Sequence, residues 1–384
     1  MDKPKVAELQ NDEELFFKST RMDKLTFEYL FSLVEVVIRP LRNRKNNVSP
    51  KERLFLTLSY LATGDDIFSI AVKHRISETS VLIIIKTTCC AIISVLANTY
   101  LRTPKSIVWK NIAKGFQAFW NMLNCIGAID GLHIPIVAPA NSGSSFFNYK
   151  KFNSIVLLGI CNHRYEFTCV DIGSCGSESN GGILNRSLLG KALAEKQLNI
   201  PEELNNFPNS TMKSPYYFVG DAAFGLNNNM MRSFPGRHLE EGKKIFNYRL
   251  SRARRCIENS FGILKTRWKV LGGKPLPFSP DDVTNIATAC VCLHNFLMAR
   301  TQRSVRQSYC PDNFVDTSIN GRIVEGQWRQ EVNVDRNSLP PSEDSHIESA
   351  YVMRDNLKTY FNSPEGEVPW QKDMITRGTY RDLM

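Results

Sequence analysis

Apolar and polar positions divide the chain into three stretches. Up to about residue 105, apolar residues recur three and four apart, the spacing of helices that bury one face. Ser49-Pro50-Lys51-Glu52 is a helix start: a Ser that can accept from first-turn amides, a Pro whose missing N–H is harmless there, and a Glu three residues after the cap. Leu54, Leu58 and Leu61 follow at helical spacing, and Gly64 is placed to end the helix. A shorter helix is predicted from about Asp66 to His74, a turn at Arg75-Ile76-Ser77, and a longer helix from Glu78. Two helices joined by a short turn fit a helix-turn-helix or a plain helical bundle.

From about 120 to 300 the pattern changes to short apolar runs between helical ones. Residues 126–137, 154–161 and 167–172 read as successive strands, 183–197 as a helix, and 216–220 as a short strand. Residues 199–214, rich in Asn with Pro201 and Pro208, read as a surface insertion. Long helices are predicted near 251–268 and 281–299. Such an order fits a mixed α/β sheet with helices packed on it. Beyond about 301 the chain turns polar, with Pro340-Pro341, and a loose tail with a short helix near 346–361 is expected. Three regions result: helical 1–105, α/β 106–300 and a polar tail 301–384.

Composition narrows the partners. Lys and Arg outnumber Asp and Glu by 48 to 38. A basic excess favours a polyanion, nucleic acid before anionic lipid, because neutralising phosphates releases counterions. The basic run Arg39, Arg42, Arg44 and Lys45 could touch phosphates, act as a nuclear import signal, or be a solvated linker. The ten cysteines show no zinc spacing and a chain of this size needs no disulfide framework, so they read as reduced thiols of an intracellular protein. The apolar stretch Val81 to Ala97 falls short of a bilayer span and reads as a buried helix, so no membrane partner is expected.

Three carboxylates stand out. Asp130 sits inside the apolar run Ile126-Gly127-Ala128-Ile129, and Asp221 ends Tyr217-Phe218-Val219-Gly220. A buried carboxylate requires a cation, a metal or strong donors, and strand ends of α/β sheets are where sites form. Either acid could instead cap the turn that follows it. Glu258 borders the stripe Ala253, Ile257, Phe261, Leu264 and Trp268, with Arg254, Lys265 and Lys269 on its side of the helix. It could form a plain ion pair with Arg254. His133 points away from the Asp130 side of an ideal strand and reads as a supporting histidine.

Five motifs in order resemble the PIF/Harbinger transposases and the Harbinger transposase-derived nucleases. They are Asp130-Gly131-Leu132-His133-Ile134, Phe147-Asn148-Tyr149-Lys150, Val219-Gly220-Asp221-Ala222-Ala223-Phe224, Asn247 through Arg255 with Ile257-Glu258-Asn259, and Leu293-His294-Asn295-Phe296. A fainter likeness reaches Val368-Pro369-Trp370-Gln371. The resemblance implies a ribonuclease-H-like DDE nuclease core, a mixed five-stranded sheet with flanking helices, behind a helix-turn-helix-like domain. It also implies Asp130, Asp221 and Glu258 as a catalytic triad holding Mg²⁺ or Mn²⁺ through hard oxygen donors. Arg254, Lys265 and Lys269, with Arg42, Arg44 and Lys45 upstream, would contact DNA.

The resemblance further implies action in the nucleus, with a cytoplasmic fraction, a Myb-like DNA-binding partner protein, and the oligomeric habit of transposases of this fold. One segment departs from the family pattern. In Gly176-Ser177-Glu178-Ser179-Asn180, Ser177 and Asn180 stand where the family usually carries Arg and Asp. Asn180 can still ligate a cation but brings no charge, weakening an accessory metal position. The departure keeps a second reading open, a domesticated DNA-binding or interaction protein that retains the fold without the chemistry.

Overall fold

Six helices open the described chain, which in this computed structural model comprises residues 12–40, 48–300, 303–331 and 348–377. They are α1 (Glu13–Thr20), α2 (Lys24–Ile38), α3 (Pro50–Thr63), α4 (Ile67–His74), α5 (Glu78–Tyr100) and α6 (Ser106–Trp120). The start of α3 is the expected capping box, Ser49 Oγ accepting from Glu52 N–H at 3.2 Å while the Glu52 carboxylate accepts from Ser49 N–H at 3.0 Å. Gly64 ends it at φ +68°, and a Cβ there would press on the Lys269 backbone at 3.3 Å. Helix α5 is long and apolar enough to cross a bilayer. Its stripe Val81, Ile84, Ile85, Thr88, Cys89, Ile92 and Leu96 is nevertheless buried, and the helix lies against Pro280–Met298.

The central sheet has five strands: β1 (Cys125–Pro135), β2 (Ser154–Cys161), β3 (Phe167–Cys175), β4 (Tyr217–Val219) and β5 (Met230–Met231). Their order is β3-β2-β1-β4-β5; β2 runs antiparallel to both β1 and β3, and β4 and β5 join parallel to β1. Strand β2 is buried at every residue, as a middle strand covered on both faces must be. The expected helix over 183–197 is two, α7 (Asn180–Arg186) and α8 (Leu188–Ala194), because Ser187 leaves helical geometry and caps Gly190. Helix α9 (Glu241–Arg267) starts well before its expected beginning, and α10 is Pro280–Met298.

The described part of the region beyond 301, expected to be loose, packs instead. After α11 (Arg303–Tyr309) come a hairpin of β6 (Thr317–Ile319) and β7 (Arg322–Val324), then α12 (Trp328–Glu331), α13 (Glu348–Phe361) and α14 (Gln371–Thr376). Its few large side chains explain why: Trp328, Tyr360 and Phe361 are all buried, and α13 and α14 lie along α9. Arg249 on α9 donates to Gly366 O, Gln371 Oε1 and Asn121 O, with Phe361 4.2 Å beneath its guanidinium.

Several recognisable motifs turn out to be fastenings. Asn295 on α10 accepts from Phe167 N–H and donates to the carbonyls of Phe167 and Tyr100, joining β3 to the end of α5. Asn247 exchanges two hydrogen bonds with the Phe234 backbone. Asn148 accepts from Lys150 N–H and Phe152 N–H and donates to Ser154 Oγ, which also meets His133 Nδ1 at 2.9 Å. That confirms the supporting role read for His133. All ten cysteines are free and most are buried.

Candidate active site

Strand pairing brings two of the three acids together. Strands β1 and β4 run parallel with Ala128 opposite Val219. Strand β4 ends at Val219, and Asp221 follows two residues beyond it, near enough that its charge acts on the Asp130 carboxyl. Asp130 Oδ1 accepts from Gly131 N–H at 2.7 Å and from Asn180 Nδ2 at 3.2 Å. Asp221 Oδ1 accepts from Ala223 N–H at 2.9 Å, so it also caps the turn after its strand.

Electrostatics mark Asp130 as the centre of a crowded group. Its carboxyl is pushed up to about 7, first by burial and then by the negative charge of Asp221, with Glu258 adding to the same effect. Arg254 and the Gly131 N–H pull the other way. Asp130 thus sits in a field of two other carboxylates that Arg254 only partly offsets, a demand that a bound cation would meet. Asn180 is buried against this group, filling the space beside Gly131 so closely that a Cβ there would lie 2.1 Å from Asn180 Oδ1.

Glu258 is the third acid, half-buried on α9, and its partner was not foreseen. Its Oε2 accepts from Arg329 Nη2 at 3.1 Å, where an Arg254 pair was the plain expectation. Arg329 is in turn gripped by both oxygens of Asp316, which also takes Arg255 at 2.8 Å. Despite burial, these cations hold the Asp316 carboxyl below the usual range. Among the described residues no three His, Cys, Asp or Glu side chains draw close enough to hold a metal ion. The donor types suit a hard divalent cation, with Glu258 turned to a guanidinium.

The expected cations divide. Arg254 acts on Asp130. Lys265 is held below its ordinary range by burial and by the neighbouring Lys150. Lys269 is exposed and 4.0 Å from Glu331. Arg42, Arg44 and Lys45 lie outside the described residues. Sequence reading missed Arg329 and Asp316; the one signal for them was a lone Trp328 in an otherwise polar stretch.

A mixed sheet of this order, with one acid inside a strand, one just past the adjacent parallel strand and a third on a packed helix, defines an α/β domain with an acidic cluster. Residues 129–295 match the DDE superfamily endonuclease family, whose core is ribonuclease-H-like. The chain carries that domain over these residues and is similar to proteins described as Harbinger transposase-derived nucleases. It is 26% identical to Antagonist of like heterochromatin protein 1 of Arabidopsis thaliana, over 75% of this chain and 74% of that one. It is 24% identical to the candidate nuclease HARBI1 of Homo sapiens, over 72% of this chain and 79% of that one. No solved structure matches the chain.

Proposed function

We propose that this protein is a divalent-metal-dependent DNA endonuclease of transposase origin, with Asp130, Asp221 and Glu258 as its acidic triad. The observation that carries the reading is that Asp130 on β1 and Asp221 just past the end of the adjacent parallel strand β4 share one field with Glu258, the Asp130 carboxyl being driven up by burial and by both other acids. Mg²⁺ or Mn²⁺ would be held by these oxygens and would supply an activated nucleophile and charge neutralisation at phosphorus. Arg254 stands where a phosphate backbone would need a cation, and Asn180 adds a neutral amide to the Asp130 side. The basic balance of the chain supports DNA as substrate. Lys265 and Lys269 would extend the contact along α9, and α4 with α5 would read DNA as a helix-turn-helix. Work in the nucleus, with a Myb-like partner protein and as an oligomer, completes the proposal.

A second reading has its own observation. Asn180 brings no charge to the acids, and Glu258 rests on Arg329. On this reading the chain keeps the fold as a DNA-binding or interaction protein. Nicking of plasmid DNA with Mn²⁺ or Mg²⁺ decides between them, comparing wild type, Asp221→Asn and Asn180→Asp, with RNA as a parallel substrate. Metal-dependent nicking that vanishes in Asp221→Asn supports the nuclease. Silence in wild type and Asn180→Asp alike supports the second reading.

A further inference from the structure

The contact between Glu258 and Arg329 lies outside the matched endonuclease residues on its arginine side. Arg329 is a built feature of the fold. Its side chain is only 9% exposed, and Asp316, at 1%, binds it with both oxygens. Asn259, next to Glu258 on α9, locks the same segment down. Its Oδ1 accepts from Asp316 N–H at 3.0 Å and from Trp328 Nε1 at 3.0 Å, and its Nδ2 donates to Asp316 O. The Trp328 ring fills a notch at Gly262, where a Cβ would lie 2.3 Å from the ring.

Charge counting gives the contact a purpose. Arg255 and Arg329 carry two positive charges, and Asp316 supplies one negative. Glu258 supplies the second, so the buried quartet is neutral only while Glu258 faces Arg329. A carboxylate neutralised by a guanidinium is a poorer partner for a dication, and a fixed positive charge at the edge of a cation site repels the ion.

We propose that Arg329 is a positioning residue of the candidate active site. It holds Glu258 in the absence of metal and thereby sets the metal concentration at which Glu258 joins Asp130 and Asp221. The inference rests on the nuclease reading for the presence of a metal and extends the site to a segment beyond the matched domain.

The test uses the full chain and Mn²⁺ alone, following free Mn²⁺ by electron paramagnetic resonance and, separately, the Mn²⁺ needed for half-maximal nicking. Arg329→Gln keeps hydrogen-bond donors for Asp316 but loses the charge. It should bind Mn²⁺ about five- to tenfold more tightly, the effect of removing one like charge from a half-buried site. Arg329→Lys keeps the charge and should stay near wild type. In a Glu258→Gln background, Arg329→Gln should raise Mn²⁺ affinity by clearly less than in the wild-type background, a coupling that a merely structural role would not produce. Wild-type Mn²⁺ binding that Arg329→Gln leaves unchanged or weakens overturns this inference and spares the nuclease reading. Absence of Mn²⁺ binding in the wild type overturns both.

Discussion

Ala128 pairs with Val219 across parallel strands, and Asp221, two residues past that paired end of β4, lies within the field of Asp130. Gly220 helps fix the register, since a Cβ there would lie 2.7 Å from Phe224 and 3.2 Å from Ile129.

Crowding of like charges around Asp130 costs stability when no cation is bound. Asp130→Asn keeps an oxygen for Gly131 N–H and Asn180 Nδ2 while removing the charge. Thermal unfolding without metal should shift upward by about 2–4 °C, as for a gain of roughly 1 kcal/mol. Nicking should fall at least a hundredfold. A variant that melts well below wild type would contradict this account of the carboxyl.

Asn180→Asp has the reverse sign. The new carboxylate would lose the Nδ2 bond to Asp130, 3.2 Å away, and add repulsion. Its metal-free melting temperature should drop by a few degrees, while the rise on adding Mn²⁺ should exceed that of the wild type. Equal Mn²⁺ responses in the two proteins would remove Asn180 from the site.

Acid sensitivity should rest on His133, His163 and His294, each with its pKa held near 4 by burial, and most cleanly on His294. It is fully buried; Nε2 donates to Tyr165 O at 2.8 Å, and Nδ1 meets Tyr309 Oη at 3.1 Å, which also accepts from Trp268 Nε1. Burial depresses its pKa to about 4 from 6.5. The unfolded chain therefore takes up the proton first, and stability present above pH 6.5 is lost as pH falls towards 4. The loss is on the order of 1–2 kcal/mol at pH 5. Melting temperature against pH checks it: His294→Gln, though less stable, should show a shallower slope over that window.

Arg249→Met should be among the most damaging changes outside the acids. It strips Gly366, Gln371 and Asn121 of their shared donor and should cost on the order of 2–4 kcal/mol. Limited proteolysis should then release fragments ending within 348–377 sooner than in the wild type. An unchanged cleavage pattern would mean that apolar packing of α13 suffices.

Much of the core was legible because its signals are local. An apolar strand carrying Asp130, another leading into Asp221, the Ser49 capping box and the stripe of α9 each follow from neighbouring residues. The start of α9 was hidden because its buried side carries Asn247, Arg249 and Arg252, which read as surface residues until their distant partners are known. The same holds for Arg329 and Asp316. A buried ion pair far apart in sequence breaks hydrophobic periodicity instead of extending it, and only the folded chain shows that both charges are matched.

Helix α9 is sandwiched, one flank on the sheet and the other under the segments that carry Trp328, Phe361 and Gln371. In genetic terms, a stop codon soon after Ala299 would yield a product with all three acids and all five motifs, yet with Phe246, Tyr248 and Arg249 stripped of cover. Open reading frames cut there would look intact by their acids and encode a chain unable to hold α9 in place. Among copies of such a gene, the integrity of the final codons is thus the sharper mark of a working protein.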